Sequence, residues 1–437
     1  MSRQFRAGPF AKRILLMLAS LAFACLLLEL LIPLGFRIAR GYPFPRERTQ
    51  TQLAAEAREP SEALESARTA PSGDAYVLHP YLGYTLNLDL REHDPESPLF
   101  GYTVSWLKRA PGRLVVALVG GSFASQIGVL AGDELVSGIR EASGREVRLA
   151  IFGLGGYKQP QQLLTLTYLL SLGAEFDLVI NVDGFNEIAL PPVEMVPRGV
   201  FPLYPRNWAA RTALLSDSAL RQKERIQSLV RLRRGWARFF QSTPVRLSNL
   251  ALTIWKSIDT RLDARIARLT LGFGHESGAL PWEQSGPSVE FGDEASLLEF
   301  LADSWARCSV QMDLLCRANG SRYLHCLQPN QYVEGAKPMT AEERATALSP
   351  DQPYRQFVEK GYPLLNRYGR TLIDKGVDFH DLTRIFRDIE RPLYADNCCH
   401  LTREGYRLVA RRIVAILSRE GYFRTFPMAE GTGSDHR

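Results

Sequence analysis

A parallel α/β fold is the class this sequence predicts, and three observations predict it. Short continuous apolar runs such as Leu114-Val115-Val116-Ala117-Leu118-Val119 read as strands buried on both faces. These runs alternate with amphipathic helical stretches, which implies a parallel sheet with crossover helices on both faces. Several runs end in turns rich in glycine or polar residues, the first being Gly120-Gly121-Ser122. Ligands of such folds bind just beyond the C-terminal strand ends.

The elements follow in order. Arg3, Arg6, Lys12 and Arg13 precede an apolar run from Ile14 to about Phe36, long enough to cross a hydrocarbon core as a helix. Its one acid, Glu29, is expected near the outer end. Ala22-Phe23-Ala24-Cys25 faintly resembles a lipoprotein cleavage site, but the apolar run continues through Leu26 to Leu28, so an uncleaved signal anchor is favoured over a cleaved signal peptide. Residues 1–40 are therefore expected to be a cytoplasmic tail and transmembrane anchor, with the large domain outside; basic residues on both flanks make the positive-inside bias weak. Residues 41–112 read as tether and lead-in. The stretch 50–74, rich in Ala, Glu, Ser and Pro, is expected to be solvated, and 75–112 to be an extended segment packed on the domain.

The main domain is placed at 113–424. Val147 to Phe152 and Phe176 to Val182 read as the next strands, with a helix from Pro160 to Leu172 between them. The alternation stops near Leu190. Residues 191–290 are Arg-rich and lack a strong strand run; they read as a helical insertion, either a lid or peripheral helices. The pattern then resumes with helix 294–319, strand 322–327, helix 354–375, strand 377–382 and helix 402–420, for which Thr402 is the expected N-cap. Residues 425–437 read as a disordered tail.

Composition narrows function. The 437 residues are 45% hydrophobic, enough for one large domain with an anchor and an insertion. The net charge of +6 comes without a Lys/Arg block interleaved with aromatics, so nucleic acid is not an expected partner, and a negatively charged membrane surface is. None of the six cysteines forms paired CxxC motifs, so no structural zinc site and no cofactor are expected. An oxidising compartment would allow one or two disulfides. Cys308 and Cys316 lie too far apart along one helix to pair. Cys326 with Cys398 or Cys399 is the pairing considered.

The chemistry-bearing residues fall at strand ends. Ser122, after two glycines and near a helix N-terminus, reads as a nucleophile or as a helix cap. Gly153-Leu154-Gly155-Gly156-Tyr157 offers backbone N–H groups for an oxyanion, or is a plain turn. Asp183-Gly184-Phe185-Asn186-Glu187 brings an amide that donates to an oxyanion or caps a helix. His400, just before a capped helix, suits a general base, and Asp396 a carboxylate that orients it. Gln328 and Asn330, at the end of another strand, are candidates for substrate contact. His325 and His380 read as packed core residues.

Taken together, Gly120-Gly121-Ser122, Gly156-Tyr157, Gly184-Phe185-Asn186-Glu187 and His400-Leu401-Thr402-Arg403-Glu404-Gly405-Tyr406 resemble the ordered blocks of SGNH/GDSL hydrolases, over about 113–420 without the insertion. The resemblance implies a flavodoxin-like three-layer α/β/α sandwich, the SGNH hydrolase fold. It implies Ser122 as nucleophile, His400 as base, and an oxyanion hole from the Ser122 and Gly156 amides and the Asn186 side chain. The chain departs from the family where Gly121 and Glu187 replace aspartates and where Asp396 lies four residues before the histidine instead of three. A one-residue bulge would bring Asp396 to His400; without it the site is a Ser-His dyad. The expected activity is deacylation of an ester-bearing envelope polysaccharide or lipid. O-acyl transfer to an exopolysaccharide on the same scaffold is the alternative, and a non-catalytic scaffold or binding module of the same fold is a third reading.

Overall fold

The computed structural model describes residues 9–41, 43–57, 76–87, 100–212, 217–242, 245–271, 280 and 282–423. The expected tail at 425–437 and most of the expected tether lie outside them. In chain order the main helices are α1 (Pro9–Arg40), α2 (Arg46–Ala57), α3 (Ser122–Ser143), α4 (Gln161–Ser171), α5 (Phe185–Leu190), α6 (Asp217–Gln241), α7 (Asn249–Leu271), α8 (Glu294–Ala318), α9 (Ala341–Ala347), α10 (Arg355–Asp374) and α11 (Arg403–Arg419). The strands are β1 (Tyr76–His79), β2 (Gly83–Leu86), β3 (Arg113–Gly120), β4 (Glu146–Ile151), β5 (Leu178–Asp183), β6 (Arg322–Leu327) and β7 (Phe379–Asp381). Two compact units result, residues 1–59 with 215–273 and residues 60–214 with 274–437.

The larger unit is built on a five-stranded sheet in the order β4-β3-β5-β6-β7, every neighbouring pair parallel. Counting from β3, this is the doubly wound order 2-1-3-4-5. The period-2 alternation of β3 supplies both faces of the sheet. Val115, Ala117 and Val119 point to one core, shared with Leu166 of α4, Ile188 of α5, Trp305 of α8 and Leu365 of α10. Leu114, Val116 and Leu118 point to the other, shared with Ile127 and Leu135 of α3 and with Val409 and Ile413 of α11. Helices thus cover both faces, and all residues of β3 after Arg113 are buried. That is why the strand reads as an unbroken apolar run.

The strand order places β3 between β4 and β5, so the first crossover runs to one side and the second to the other. That reversal is the switch point at which open α/β sheets bind ligands. Ser122 follows β3, and Asn186 follows β5. The lead-in is an antiparallel β1–β2 hairpin. It packs on the same unit through the Tyr84 hydroxyl, which donates to Gly155 O at 2.8 Å, and through Tyr157, whose hydroxyl donates to Tyr84 O.

The smaller unit is helical. Its core is Leu53 of α2, Ala237 and Phe240 of α6, and Leu252 and Trp255 of α7. Arg233 of α6 joins three acids, Glu56 at 3.1 Å, Asp259 at 2.6 Å and Asp263 at 3.0 Å. α1 contains a stretch, Leu16–Arg40, long and apolar enough to cross a membrane. Two expectations are corrected here. Residues 46–57 form a helix because Thr49 and Leu53 find burial against the α6–α7 pair, which their polar surroundings conceal. And 191–290 is not one insertion: 191–212 stays with the α/β unit, whereas α6 and α7 pack with the N-terminal helices.

Candidate active site

Ser122 is the first residue of α3, with Gly121 at the N-cap. Its hydroxyl does not cap the helix. Oγ lies 2.9 Å from His400 Nε2, and His400 Nδ1 lies 2.6 Å from Asp396 Oδ2. Ser122 is 8% exposed, and the imidazole is half-buried beside it.

The four-residue spacing of Asp396 and His400 works because the intervening chain folds back onto the carboxylate. Asp396 Oδ1 accepts the backbone N–H groups of Cys398, Cys399 and His400 at 2.9, 3.0 and 3.1 Å. The other oxygen is left for the imidazole. A bridge between Tyr394 and Leu401 closes the base of this loop, Ala395 N donates to His400 O at 2.9 Å, and the Thr402 side chain caps α11 as expected. Gln331 Nε2 reaches Asp396 O at 3.1 Å, the Tyr332 hydroxyl Asn397 O at 2.9 Å, and Gln352 Nε2 Asn397 O at 3.0 Å.

The two ends of this pair move apart in pKa. Burial works to lower the His400 imidazole, but the Asp396 charge and hydrogen bond override it and hold it up at about 9. Burial works to raise Asp396, but the His400 charge and the hydrogen bonds it accepts bring it down to about 2. The pair is therefore ionic at neutral pH. Ser122 Oγ then accepts a hydrogen bond from the imidazolium, and general-base work needs the proton to leave His400 first.

The oxyanion candidates sit around the same serine. Asn186 Nδ2 donates to Tyr157 O at 2.7 Å and lies directly over Gly121. A Cβ at position 121 would come within 2.2 Å of that nitrogen and 3.0 Å of Tyr157 O. In this conformation position 121 has no room for a side chain, because the Asn186 amide and the Tyr157 carbonyl occupy the space a Cβ would take. Gly156 adopts a φ of +80°, and a Cβ there would meet Arg206 Cδ at 2.6 Å. Glu187 braces the two loops to each other. One carboxylate oxygen accepts Gly184 N at 2.9 Å, and the other accepts Gln159 N at 3.1 Å and Gln162 Nε2 at 2.9 Å. Burial, helped by the nearby Asp183, pushes its pKa up to about 8.

One expected substrate contact, Asn330, is corrected. Asn330 is fully buried, and its amide is committed to the protein: Nδ2 donates to Cys398 O at 3.2 Å and Oδ1 accepts Tyr332 N at 2.9 Å. Gln328 is buried as well, with its Nε2 lacking an acceptor among the described residues. The 328–332 stretch holds the His400 loop and offers little surface to a substrate. The considered disulfide is also absent, since all six cysteines are free thiols. His325 is core, as expected. It is fully buried between Ser309 and Asp183, each at 2.8 Å. His380 is only half-buried and pairs with Asp378 at 2.8 Å.

Sequence reasoning missed the wall beside Gly156. Arg206 forms a bidentate pair with Glu194, at 2.7 and 2.5 Å, and the Tyr354 hydroxyl donates to the same carboxylate. Burial works against both charges, but the pair holds Arg206 well above and Glu194 below the ordinary value. Nearby, Lys158 is buried and donates through Nζ to Tyr204 O; burial lowers it to about 7 against the pull of Glu187 and Glu194. No sequence signal marks these residues, because they come from irregular segments far apart in the chain. Among the described residues no His, Cys, Asp and Glu cluster is arranged to hold a metal ion.

In comparison with known proteins, no family model matches the chain, and no curated protein matches it significantly.

Proposed function

We propose that this chain is a serine hydrolase of the SGNH/GDSL type acting on ester bonds. The observation that carries the reading is the hydrogen-bonded chain from Ser122 through His400 to Asp396, at 2.9 and 2.6 Å, at the switch point of a doubly wound sheet. Ser122 Oγ attacks the ester carbonyl while neutral His400 takes its proton. Asp396 stabilises the imidazolium that forms. The Ser122 and Gly156 amides and the Asn186 side chain receive the developing oxyanion. His400 then returns the proton to the leaving alcohol, and water releases the acyl group by the same steps in reverse.

The substrate class in this reading is an acylated polysaccharide or lipid of the cell envelope. α1 anchors the protein as a single span of the cytoplasmic membrane, with the α/β unit on the extracytoplasmic side. The support for this placement is the basic N-terminus ahead of an apolar stretch of spanning length. The same anchor favours a second use of the acyl-enzyme, O-acyl transfer to a saccharide acceptor held at the membrane. The two readings share every step up to the acyl-enzyme.

The test is pre-steady-state turnover of a chromogenic acetate ester by the full-length protein. The expected result is a burst of one alcohol per protein, absent in Ser122→Ala. A saccharide acceptor that takes the acetyl group in preference to water assigns transfer. A correctly folded protein that releases alcohol no faster than Ser122→Ala rejects both readings and leaves the non-catalytic scaffold.

A further inference from the structure

The α6–α7 pair carries a charge that the ester chemistry does not use. Between Asp217 and Leu271 there are twelve Lys and Arg residues against four Asp and Glu, a net +8 in a chain whose total is +6. The rest of the chain is therefore slightly acidic, and the basic character resides in this hairpin. Arg233 is taken up by acids inside the helical unit. Arg225 and Arg231 lie exposed on α6, and Arg261, Arg265 and Arg268 lie exposed at one-face spacing on α7.

An apolar stripe runs along the same hairpin. Leu232, Trp236 and Phe239 recur at i, i+4 and i+7 on α6, and all three face outward, Phe239 at 57% exposure. Leu247, in the turn that joins the helices, and Ile254 on α7 are exposed as well. A Trp/Phe/Leu stripe flanked by arginines is the pattern of a helix lying in a lipid–water interface.

A second, independent observation sets the level of the turn. Glu29 of α1 accepts the backbone N–H groups of Asn249 at 2.7 Å and Leu250 at 3.1 Å and the Ser248 hydroxyl, so it caps the first turn of α7. Glu29 lies fifteen residues beyond Ile14, about 22 Å along the helix. That is toward the far boundary of a hydrocarbon core about 30 Å thick. The capped turn is thus held against the outer half of α1's apolar stretch, and the acid there is paired with N–H and hydroxyl donors instead of bare. Arg46 at the start of α2 donates to Leu247 O in the same turn.

We propose that the α6–α7 hairpin, along the Leu232-Trp236-Phe239 stripe, docks in the lipid–water interface beside α1 and binds anionic phospholipid headgroups through its arginines. The hairpin is then a second membrane contact beside the anchor, independent of catalysis.

The test uses the full-length protein in vesicles of phosphatidylglycerol and phosphatidylcholine carrying lipid brominated near the headgroup end of its acyl chains, a short-range quencher of tryptophan. In phosphatidylglycerol, the quenching seen with the wild type is expected to fall at least twofold in Trp236→Phe, a variant that keeps an aromatic ring in place. Arg231→Glu with Arg265→Glu is expected to reduce quenching in phosphatidylglycerol and not in phosphatidylcholine. Equal quenching of wild type and Trp236→Phe overturns the docking. Quenching of Trp236 that is identical in the two lipids, and unmoved by the charge reversals, overturns the anionic recognition.

Discussion

At Asp396 one carboxylate does two jobs: Oδ1 gathers three backbone N–H groups and Oδ2 orients His400. Asp396→Asn keeps much of the loop but loses the charge, and about 10⁴-fold of kcat is expected to go with it. The pH profile follows from the same pair. His400, held up at about 9, is charged and blocked as a base below that pH. In the wild type kcat/KM is expected to rise with pH through the neutral range and level off near 9, and in Asp396→Asn the inflection moves to lower pH. Stability carries the matching signs. The raised His400 contributes fully below its unfolded value, about 6.5, and that contribution fades as pH climbs through about 9; the depressed Asp396 contributes above its ordinary 3.8 and loses this as pH falls toward about 2. Asn186→Ala is expected to lower kcat about 10²–10³-fold, the usual cost of one oxyanion donor. Gly121→Asp is expected to lower activity, because its Cβ would meet the Asn186 amide. At this scale the serine, histidine and asparagine that meet in the candidate site were legible from their places at strand ends. The acid was legible as a candidate only. Whether a carboxylate four residues away reaches a histidine depends on the backbone path between them, which spacing alone does not encode.

The elements were more legible than the contacts between them. β6 falls on the six residues its pattern predicts, and α8, α10 and α11 agree within a residue or two at their ends, because each has an apolar period that matches its burial. α2 was hidden because two buried side chains, Thr49 and Leu53, make too faint a stripe to stand out in a polar stretch. The role of Asn330 was misread because an amide side chain at a strand end suits substrate contact and loop bracing equally; its hydrogen bonds to Cys398 O and Tyr332 N decide for bracing. A further brace lies under the catalytic loop. Lys337 and Glu343 form an ion pair at 2.7 Å with both side chains fully buried, and the other Glu343 oxygen accepts Leu393 N at 2.6 Å and Tyr394 N at 2.9 Å. Glu343→Ala strands a buried ammonium and two N–H groups. A loss of about 3–5 kcal/mol in chemical unfolding is expected, whereas a loss below about 1 kcal/mol would remove this pair from the account.

At the scale of the whole molecule the chain divides its work between an α/β unit that holds the catalytic candidates and a helical unit that holds the membrane-length helix. The order β4-β3-β5-β6-β7 was not legible from the alternation, which fixes parallel strands but not which neighbours they choose; only the motif resemblance implied it. Nor was the departure of 217–271 from the α/β unit, because its partners, α1 and α2, lie about 200 residues earlier in the chain. The division predicts independence. Leu53→Ala, in the fully buried core of the helical unit, is expected to cost about 2–5 kcal/mol there, with hydrolysis by the solubilised protein unchanged within twofold; a parallel loss of activity would contradict it. The most direct measurement of the central claim is covalent labelling with a fluorophosphonate, followed by mass mapping of the modified peptide. The account predicts one adduct per chain, on Ser122, formed faster as pH rises and abolished in Ser122→Ala and His400→Ala. An unlabelled folded protein, or an adduct on any other residue, would contradict it.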